Sequence, residues 1–372
     1  MQEPIRAGIV GVGHISDTYI RNMKLFKNIE LVGCTARNME RIKAKAEQHG
    51  ITPMAMDEMI NDKSIELVVN LTPVEAHYEV IKRAIESGKH VYSEKTLTGD
   101  YNSSKELSDL ADCRGVYLGC APDTFLGSGI QTAAEALANG SIGAVTGFTI
   151  MINRGLDYLY EILEFLIKPG GGMGYDLGIY SLTAVLSMLG PIEEVAGFSQ
   201  TNRPSRIYKL QNNPNVGKPY EIKNENVMAA VLRQKHGIVG TVMFNGDSTF
   251  PEKPYICIQG TKGLLYLPNP NDFGGDVKLV KGITQPDQLM SGGEPEETLS
   301  VHHNYAEDSR GLGAADMVAA IREKRNPRAS KEMACHMVEL LDAIVKSCST
   351  RQFVKLASTF DIPARLNGNE EF

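Results

Sequence analysis

From Ile5 to Cys120 the sequence alternates short β-branched runs with segments of helical periodicity, and no other feature constrains its fold as much. This alternation is typical of βαβ units that build a parallel sheet with helices on both faces. The strand segments are mostly apolar, as burial on both faces of such a sheet requires. We predict strands at Ile5–Val10, Glu30–Ala36, Ile65–Asn70, His90–Glu94 and Val116–Cys120.

Turn and capping signals place helices between these strands. Gly50 directly follows a helical pattern at Met39–His49, and glycine is the usual residue just past a helix C-terminus. Ser103 and Glu106 have capping-box spacing, which predicts a helix that begins there and ends before Gly115. The N-terminal part is therefore predicted to be a doubly wound Rossmann domain.

After Pro122 the pattern changes to strands that follow one another without long helices between them. Such a succession favours an antiparallel or mixed sheet, and a chain of 372 residues exceeds what one core usually organises. We therefore predict an α/β protein with a Rossmann domain at residues 1–122 and an α+β domain at 123–372 that contains a large, open, mostly antiparallel sheet. The strands predicted in the second domain are Val145–Asn153, Met228–Arg233, Val239–Phe244, Tyr255–Gln259, Gly263–Leu267, Val277–Val280 and Phe353–Leu356, and its helices are Gly127–Asn139, one that ends at Leu189, Ala314–Glu323 and Glu332–Ser347.

Charge and composition exclude several classes of function. The net charge is -7 and no basic stretch is interleaved with aromatic residues, so nucleic acid is not expected as a partner. The sequence has neither a run of about 18 apolar residues nor a signal-peptide pattern, which predicts a soluble, cytoplasmic protein without a membrane partner. The six cysteines form no C-x-x-C pair, so neither a metal site nor a disulfide framework is predicted.

A glycine-rich turn, GVGHIS at residues 11–16, follows the first predicted strand. Gly11 permits a tight turn from strand to helix, and Gly13 lets the backbone approach a pyrophosphate at the N-terminus of the helix that starts near Ile15. Because the motif lies between a strand and a helix, it predicts a dinucleotide site that includes Gly11, Gly13, His14 and Ile15. A glycine turn with a purely structural purpose is the alternative.

The end of the second predicted strand bears on the choice between NAD and NADP. NAD enzymes usually have a carboxylate there for the ribose 2′-hydroxyl, but this chain has Thr35 and Arg37. A guanidinium can donate two hydrogen bonds to a 2′-phosphate, which favours NADP and leaves NAD as the second choice. Alternatively, Arg37 is a solvated charge at a helix start, or it stacks on the adenine.

Polar residues follow two neighbouring strands of the predicted sheet. Thr72, Pro73 and His77 come after one strand, and Glu94 and Lys95 come at the end of the next. The carboxyl ends of parallel strands form the ligand-binding edge of an open α/β sheet, so these residues are predicted to line the cofactor site. Lys95 could there hydrogen-bond a reacting oxygen or tune the pKa of another acid.

In the second domain a run of glycines leads into an apolar helix at residues 170–180, and we expect these glycines to leave room for a ligand. Asp176 and Tyr180 are four residues apart, hence on one helical face and able to act on one substrate. The free pKa of tyrosine is about 10, so a tyrosine base needs its phenolate stabilised, which the Lys95 ammonium would do across a crevice. A packing role is the alternative for Tyr180.

Three motifs resemble those of the Gfo/Idh/MocA oxidoreductase family: T-P-x-x-x-H at residues 72–77, E-K-T at 94–96 and G-G-G-x-x-x-D-x-G-x-Y at 170–180. The resemblance covers essentially the whole chain. It implies NAD(P), a sugar or cyclitol substrate, and a C-terminal sheet that supports a homodimer or homotetramer. It also implies that Lys95 orients the substrate hydroxyl and supports proton transfer, that Asp176 binds a substrate hydroxyl, and that Tyr180, where many members have histidine, is the acid/base.

The sequence departs from the commoner pattern of the family at several positions. Thr96 stands where proline is frequent, so we expect this chain to lack the cis-peptide restraint of that proline. Residues 122–125 replace an asparagine-x-arginine, which would add the Asp123 carboxylate near the nicotinamide. Arg154 and Tyr158 lie in a segment that enters the same region and are our candidates for substrate specificity, although a plain connecting loop explains that segment equally well.

These observations predict an NAD(P)-dependent dehydrogenase or reductase that transfers a hydride between nicotinamide and a secondary alcohol of a sugar or polyol. The same resemblance leaves two alternatives. One is a redox-assisted glycosidase, which oxidises a sugar, eliminates the aglycone and recovers its cofactor unchanged. The other is a non-catalytic sensor, which the joint presence of Lys95, Asp176 and Tyr180 disfavours.

Overall fold

The computed structural model describes residues 3–155, 157–248, 252–283, 296–368 and 370–372. Its first sheet has six parallel strands in the order β3-β2-β1-β4-β5-β6, which confirms the predicted Rossmann fold. The strand order reverses between β1 and β4, and open α/β sheets bind ligands at the carboxyl ends of the strands beside such a switch point. The strands are β1 (Ile5–Val10), β2 (Ile29–Thr35), β3 (Thr52–Pro53), β4 (Leu67–Asn70), β5 (His90–Ser93) and β6 (Leu118–Cys120).

The helices that connect these strands are α1 (Ser16–Met23), α2 (Met39–His49), α3 (Met56–Asn61), α4 (Val74–Glu86) and α5 (Tyr101–Arg114). The predicted start of α5 at Ser103 is wrong. The Asp100 side chain accepts a hydrogen bond from the Ser103 backbone N–H at 2.9 Å, so Asp100 is the N-cap and the helix begins at Tyr101. Gly115 closes α5 in the left-handed conformation, as predicted.

The second part of the chain forms a nine-stranded sheet in the order β16-β15-β14-β13-β7-β12-β11-β8-β17. Among its described strands only β7 and β12 pair in parallel, so the predicted mostly antiparallel sheet is confirmed. The strands are β7 (Val145–Asn153), β8 (Ile192–Gln200), β9 (Ser205–Ile207), β10 (Pro219–Glu221), β11 (Val227–Gln234), β12 (Val239–Asn245), β13 (Tyr255–Gly260), β14 (Gly263–Tyr266), β15 (Lys278–Lys281), β16 (Glu297–Thr298) and β17 (Val354–Lys355), where β9 and β10 form a separate two-stranded pair. The helices are α6 (Ser128–Ala138), α7 (Asp157–Tyr160), α8 (Ile179–Leu189), α9 (Leu312–Glu323) and α10 (Lys331–Thr350).

The two faces of the nine-stranded sheet differ in their surroundings. Helix α10 packs on β8 and β11, and the face on this side buries Phe148, Ile150, Val242 and Phe244. The opposite face, which we call the outer face, exposes five large apolar side chains: Met151, Phe198, Val231, Val239 and Tyr255. No helix among the described residues is long and apolar enough to cross a membrane.

One continuous hydrophobic core joins the two parts of the molecule. Ile9 and Tyr19 from the Rossmann part and Ile179 and Leu182 from α8 belong to the same buried cluster. The glycine turn after β1 and the start of α8 therefore rest on shared packing, which fixes the crevice between them. The boundary at residues 122 and 123 stays a prediction.

Candidate active site

The turn after β1 has the geometry that a bound pyrophosphate needs. Gly11 has φ +105°, and a Cβ there would lie 2.7 Å from the carbonyl carbon of Leu71, so the turn requires glycine. A Cβ on Gly13 would meet nothing within 4 Å, which leaves open space above its backbone at the N-terminus of α1. The Ser16 hydroxyl donates to the Gly13 carbonyl at 2.7 Å and holds the turn against that helix. These residues therefore fit a dinucleotide, whose phosphates the helix N-terminus would attract.

The end of β2 would face the adenosine half of such a cofactor. Arg37 and His14 are exposed, and neither makes a hydrogen bond or ion pair in the described part of the chain. Thr35 is fully buried, its backbone carbonyl accepts from the Gly11 N–H at 2.8 Å, and its hydroxyl is not presented to the surface. A role for Arg37 at a 2′-phosphate, and one for Thr35 beside it, stay predictions.

His77 lies between the loop after β4 and the loop after β5. Its Nδ1 lies 2.7 Å from the Thr96 carbonyl and its Nε2 lies 2.8 Å from the Thr72 carbonyl, and the side chain is fully buried. Burial lowers the pKa of this imidazole, against the effect of these hydrogen bonds. We expected His77 to contact the cofactor, but both ring nitrogens face backbone carbonyls of the protein, and a neutral imidazole donates to one of them. The contacts support a role in holding the loops after β4 and β5 together.

Glu94 follows β5 and both of its carboxylate oxygens are occupied. Oε1 accepts from the Tyr19 hydroxyl of α1 at 2.7 Å, and Oε2 accepts from the Lys95 backbone N–H at 3.1 Å. Tyr19 is fully buried, so this hydrogen bond ties the helix of the cofactor turn to the segment that presents Lys95. The Lys95–Thr96 peptide bond is cis although position 96 is not proline, which corrects our expectation for Thr96.

Lys95 and Asp176 meet across the crevice between the two parts of the molecule. The Lys95 ammonium donates to Asp176 Oδ1 at 2.6 Å and to the Asp176 carbonyl at 2.9 Å, and the two side chains are only 13% and 12% exposed. Lys95 Nζ also lies 5.3 Å from the centre of the Tyr180 ring. The three residues predicted to be catalytic are therefore brought together.

The protonation of these groups follows from burial and from their neighbours. Burial opposes the charge of Lys95, but Asp176, Tyr180 and Glu94 together outweigh it and raise the pKa of the ammonium. Burial raises the pKa of the Tyr180 phenol, and the Lys95 charge lowers it without overcoming that rise. Lys95 thus acts in the direction that we expected, but Tyr180 is protonated at neutral pH in the free protein. In reduction of a ketone, a protonated phenol can give its proton to the carbonyl oxygen. In oxidation of an alcohol, the phenol must first lose that proton so that the phenolate can act as the base.

The glycine run before Tyr180 serves packing and not ligand space, contrary to our expectation. A Cβ on Gly174 would lie 2.4 Å from Met228 Sδ, and one on Gly178 would lie 2.8 Å from the Phe244 ring. Residues Gly174–Gly178 form a π-helical turn that precedes α8, where the sequence indicated only a helix start. Such turns are frequent at functional sites, and this one presents the Asp176 carboxylate towards Lys95.

Asp123 is buried and caps a helix. Its Oδ2 accepts from the backbone N–H groups of Gly311 and Gly313 at 2.9 and 3.0 Å, at the N-terminus of α9. Burial raises the pKa of Asp123 to about 6, although these hydrogen bonds and Arg310 act against the rise. These hydrogen bonds give Asp123 a structural role at the N-terminus of α9, and its role near the nicotinamide stays a prediction.

Arg310 is a charged neighbour of Tyr180 that the sequence analysis missed. Its guanidinium donates to Asp308 Oδ1 at 2.8 Å and to Asn271 Oδ1 at 2.8 Å. Burial opposes its charge, but Tyr180 and Asp308 raise the pKa of Arg310, which places the guanidinium near the phenol. Arg310-Gly311-Leu312-Gly313 before a helix is the sequence signal, but only the fold shows that it reaches the crevice.

The predicted specificity residues contact each other and not the central three. The Arg154 guanidinium donates to the Tyr158 hydroxyl at 2.8 Å, and Tyr158 is 45% exposed. Neither side chain contacts Lys95, Asp176 or Tyr180 among the described contacts. Their role in substrate choice stays a prediction.

Comparison with known families assigns both parts of the chain. Residues 5–121 match an oxidoreductase family with an NAD-binding Rossmann fold, and residues 130–266 match the GFO/IDH/MocA C-terminal domain. The chain belongs to the Gfo/Idh/MocA family. This family is one of oxidoreductases with an NAD-binding Rossmann fold, as the motifs around Lys95 and Tyr180 indicated.

Individual members of the family are similar in sequence to parts of this chain. An uncharacterised oxidoreductase of Schizosaccharomyces pombe is 33% identical over 40% of each chain. The scyllo-inositol 2-dehydrogenase (NADP(+)) IolW of Bacillus subtilis is 30% identical over 36% of this chain and 38% of its own. These alignments thus span less than half of either relative. A structure of levoglucosan dehydrogenase with NADH and L-sorbose has a TM-score of 0.80 at 19% identity, covering 94% of this chain and 98% of its own, and shows the shared fold.

Proposed function

We propose that this protein reversibly oxidises a secondary alcohol of a sugar or cyclitol, with Tyr180 transferring the hydroxyl proton. The observation on which the proposal rests is the contact of Lys95 with Asp176 beside the Tyr180 ring, at the carboxyl edge of the sheet that holds the Gly11–Gly13 turn. A nicotinamide bound at this edge would supply or accept the hydride. The relatives named for scyllo-inositol and levoglucosan support a polyhydroxylated substrate.

Each of the three residues has a hydrogen-bonding atom that the described chain leaves available for such a substrate. Asp176 Oδ2 accepts no hydrogen bond within the described chain, so it can accept one from a substrate hydroxyl. The Tyr180 hydroxyl likewise makes no hydrogen bond to the described residues. Lys95 has a third N–H for the reacting oxygen besides the two that it gives to Asp176. The three groups together would orient one hydroxyl and move its proton.

The cofactor that we propose is NADP in preference to NAD. The end of β2 presents an exposed guanidinium at Arg37 and no carboxylate. Asn38 caps α2 by accepting from the Arg41 N–H at 3.1 Å, so its side-chain oxygen already has a partner in the protein. A forked, unpaired guanidinium suits a phosphate better than a hydroxyl.

We further propose that the protein is a homodimer or homotetramer that assembles through the outer face. This face exposes Met151, Phe198, Val231, Val239 and Tyr255 on neighbouring strands, and apolar patches of this kind mark interaction surfaces. Light scattering at micromolar protein should give a mass of two or four chains. A monomer under these conditions would contradict this part of the proposal.

The test of the activity uses purified protein, both cofactors and a panel of cyclitols, aldoses and anhydrosugars. A thermal-shift screen first identifies ligands, because ligands that bind only the folded state raise its stability. Turnover is then followed by the absorbance of the reduced nicotinamide and by chromatography of the sugar. Stoichiometric formation of reduced cofactor with a keto product supports the proposal. Cleavage of a glycoside without net change in the cofactor would establish the glycosidase alternative, and ligand binding without turnover would favour the sensor.

A further inference from the structure

Between β8 and β11 the chain leaves the large sheet for residues 201–226, which contain the β9–β10 pair and which we call the arm. Residues 157–172, which we call the wall, run from α7 to the glycine turn that precedes Asp176. The activity proposed above assigns no role to the arm. The arm nevertheless contacts the wall along most of its length.

Hydrogen bonds fasten the wall to the arm at two separate places. Near the start of the wall, the Glu161 carboxylate accepts from the backbone N–H of Leu210 at 2.6 Å. Near its end, the backbone N–H of Lys223 donates to the Ile167 carbonyl at 2.7 Å. These bonds fix the wall at two points to one and the same neighbour, and a loop bonded in this way keeps one conformation.

Arg206 of β9 lies at the centre of this contact and is the most buried charge in it. Its guanidinium is ion-paired with Asp157 of the wall and with Asp247 at the end of β12, the latter at 2.5 Å, and its side chain is 3% exposed. It also lies 5.2 Å from the centre of the Tyr160 ring. Asp157 and Tyr160 are the first and last residues of α7, so one guanidinium holds both ends of this helix. Arg203 adds a longer contact to Asp157 Oδ2 at 3.3 Å.

The wall is tightly packed at the place where it leads into the turn that presents Asp176. A Cβ on Gly171 would lie 2.5 Å from the Phe165 carbonyl oxygen, and one on Gly172 would lie 2.8 Å from Asn224 Oδ1. The wall and the arm therefore enclose these glycines without spare space. Any shift of the wall would displace the π-helical turn that follows, because packed interiors transmit small displacements.

Two observations place the wall beside the crevice. The wall ends at Gly172, four residues before Asp176, and Lys168 of the wall pairs with Glu75 of α4 in the Rossmann part at 3.4 Å. In agreement, the Asp247 and Asp176 carboxylates add to the rise that burial gives the pKa of the Tyr160 phenol. The wall therefore borders the proposed substrate site on the side of the second sheet.

We propose that Arg206 is a positioning residue that fixes the wall against the arm and thereby sets the affinity for the substrate. The inference rests on the proposed function in one respect, since the wall must border the substrate site. Arg206 itself touches neither the cofactor turn nor the central three residues among the described contacts. Its removal would leave Asp157 with only the longer Arg203 contact and the 5%-exposed Asp247 without its ion-pair partner, and an unpaired buried carboxylate is strongly destabilising.

The kinetic test compares Arg206→Lys, Arg206→Met and Asp157→Asn with the wild type on the best substrate of the panel. We expect KM for the sugar to rise roughly tenfold in Arg206→Met with kcat reduced by less than about threefold, as for loss of binding that ground and transition states share. Arg206→Lys should give an intermediate KM, because an ammonium keeps the charge but cannot fork between two carboxylates. Asp157→Asn tests the wall contact while the Arg206–Asp247 pair remains, so it keeps the proposal testable should Arg206→Met fail to fold.

Lys281→Met is the control, because Lys281 pairs with Glu297 at 3.4 Å on the same sheet and both side chains are more than half exposed. This variant should leave KM, kcat and cofactor affinity unchanged, since exposed ion pairs contribute little. A KM increase of the same size in Lys281→Met would show that loss of any cation in this domain is sufficient, and the specific role of Arg206 would be wrong.

Hydrogen exchange gives a readout that needs no activity and so separates this inference from the proposed function. Backbone amides of residues 157–172 should exchange faster in Arg206→Met and Asp157→Asn, while those of α8 and of the six-stranded sheet keep wild-type rates. Unchanged exchange of the wall would overturn the inference, even with an active wild-type enzyme. Faster exchange throughout the molecule, with kcat, KM and cofactor affinity changed in parallel, would overturn it as well. If the wall amides exchange faster in the variants but the wild type turns over no sugar, the positioning role of Arg206 would be supported and only the proposed function contradicted.

Discussion

The centre of the crevice and the adenosine end of the cofactor turn are built differently. At the centre, Lys95 and Asp176 are paired at 2.6 Å with about an eighth of each side chain exposed, and Glu94 is bonded through both of its oxygens. At the adenosine end, His14 and Arg37 are exposed and make no hydrogen bond or ion pair among the described residues. The first region has its geometry before any ligand arrives, and the second depends on the ligand for its contacts.

This difference separates catalysis from cofactor choice. Charges that are already oriented need no reorganisation when the substrate reacts, so the crevice centre is suited to act on rate. An exposed guanidinium loses side-chain freedom on binding, which limits what it adds to affinity. We therefore expect large kinetic effects from substitutions at the centre and small, cofactor-specific effects at the adenosine end.

Tyr180→Phe should have the largest effect. The substitution keeps the ring and removes the hydroxyl, so kcat should fall roughly a hundredfold or more, the usual scale for general acid/base catalysis. Cofactor affinity should stay within about twofold of the wild type, because the ring and its packing are kept. Steady-state kinetics with one substrate and fluorescence titration of the cofactor measure both quantities.

The control for Tyr180→Phe is Tyr117→Phe, at the start of β6. The amino ends of the strands lie at the opposite edge of the sheet from the site, so this variant should keep its turnover. Near wild-type kcat in Tyr180→Phe would move the acid/base role elsewhere, with Lys95 the next candidate. It would also mean that the centre is organised for binding and not for proton transfer.

Asp123→Asn tests whether the buried Asp123 carboxyl changes the dependence of the free energy of unfolding on pH. The native pKa of about 6 exceeds the ordinary value of 3.8, so the native state binds the proton more tightly than the unfolded chain does. Its contribution to the free energy of unfolding therefore falls as the pH rises through this window, by a few kcal/mol at most. An amide oxygen can still accept from Gly311 and Gly313, so the variant should show a flatter dependence of stability on pH between about 4 and 7.

The comparison for Asp123→Asn is the difference between wild type and variant at each pH, from urea unfolding. This difference cancels the titration of groups that the two proteins share, such as His336, whose pKa burial lowers to about 4. Parallel curves for the two proteins would show that Asp123 does not titrate in this range.

Lys95→Met should move the pH profile of alcohol oxidation. Oxidation requires the Tyr180 phenolate, and the Lys95 charge lowers the pKa of that phenol against the effect of burial. Without the cation the pKa rises further, so the limb on which activity increases with pH should shift by about one unit to higher pH. Lys95→Arg keeps the charge and should shift the limb less. An unshifted limb with reduced kcat would leave Lys95 as a positioning group only.

The sequence predicted the parts of the fold that local pattern decides. β1, α2 and β7 have the predicted bounds because apolar runs and terminal glycines mark them. β8 was missed because Glu193, Glu194 and Gly197 interrupt its apolar pattern, and it becomes a strand by pairing with β11 and β17. Its place depends on partners that are distant in sequence.

The candidate site divides in the same way. Lys95, Asp176 and Tyr180 were predicted from motifs, and the fold brings them together. The motifs could not indicate that His77 and Asp123 are bonded within the protein, since their partners are backbone groups of other segments. The π-helical turn and the contacts of Arg206 have no local sequence signature, and the signal at Arg310 does not show that this residue reaches the crevice, because each depends on packing between segments far apart in the chain.

Arg37→Ala should have the smallest effect and should be confined to one cofactor. Removal of an exposed guanidinium that meets only a 2′-phosphate should weaken NADP about tenfold, the equivalent of one charge-assisted hydrogen bond, and leave NAD within about twofold. Titration of both cofactors against wild type and variant measures the ratio. Arg114→Ala is the control, because Arg114 is equally exposed at the C-terminus of α5, away from the strand ends that bind ligands, and should leave both affinities unchanged. Tighter binding of NAD than NADP by the wild type would reverse the proposed preference. Equal losses for both cofactors in Arg37→Ala would instead place the guanidinium on the adenine or the shared phosphates, and the adenosine end would then set affinity without setting selectivity.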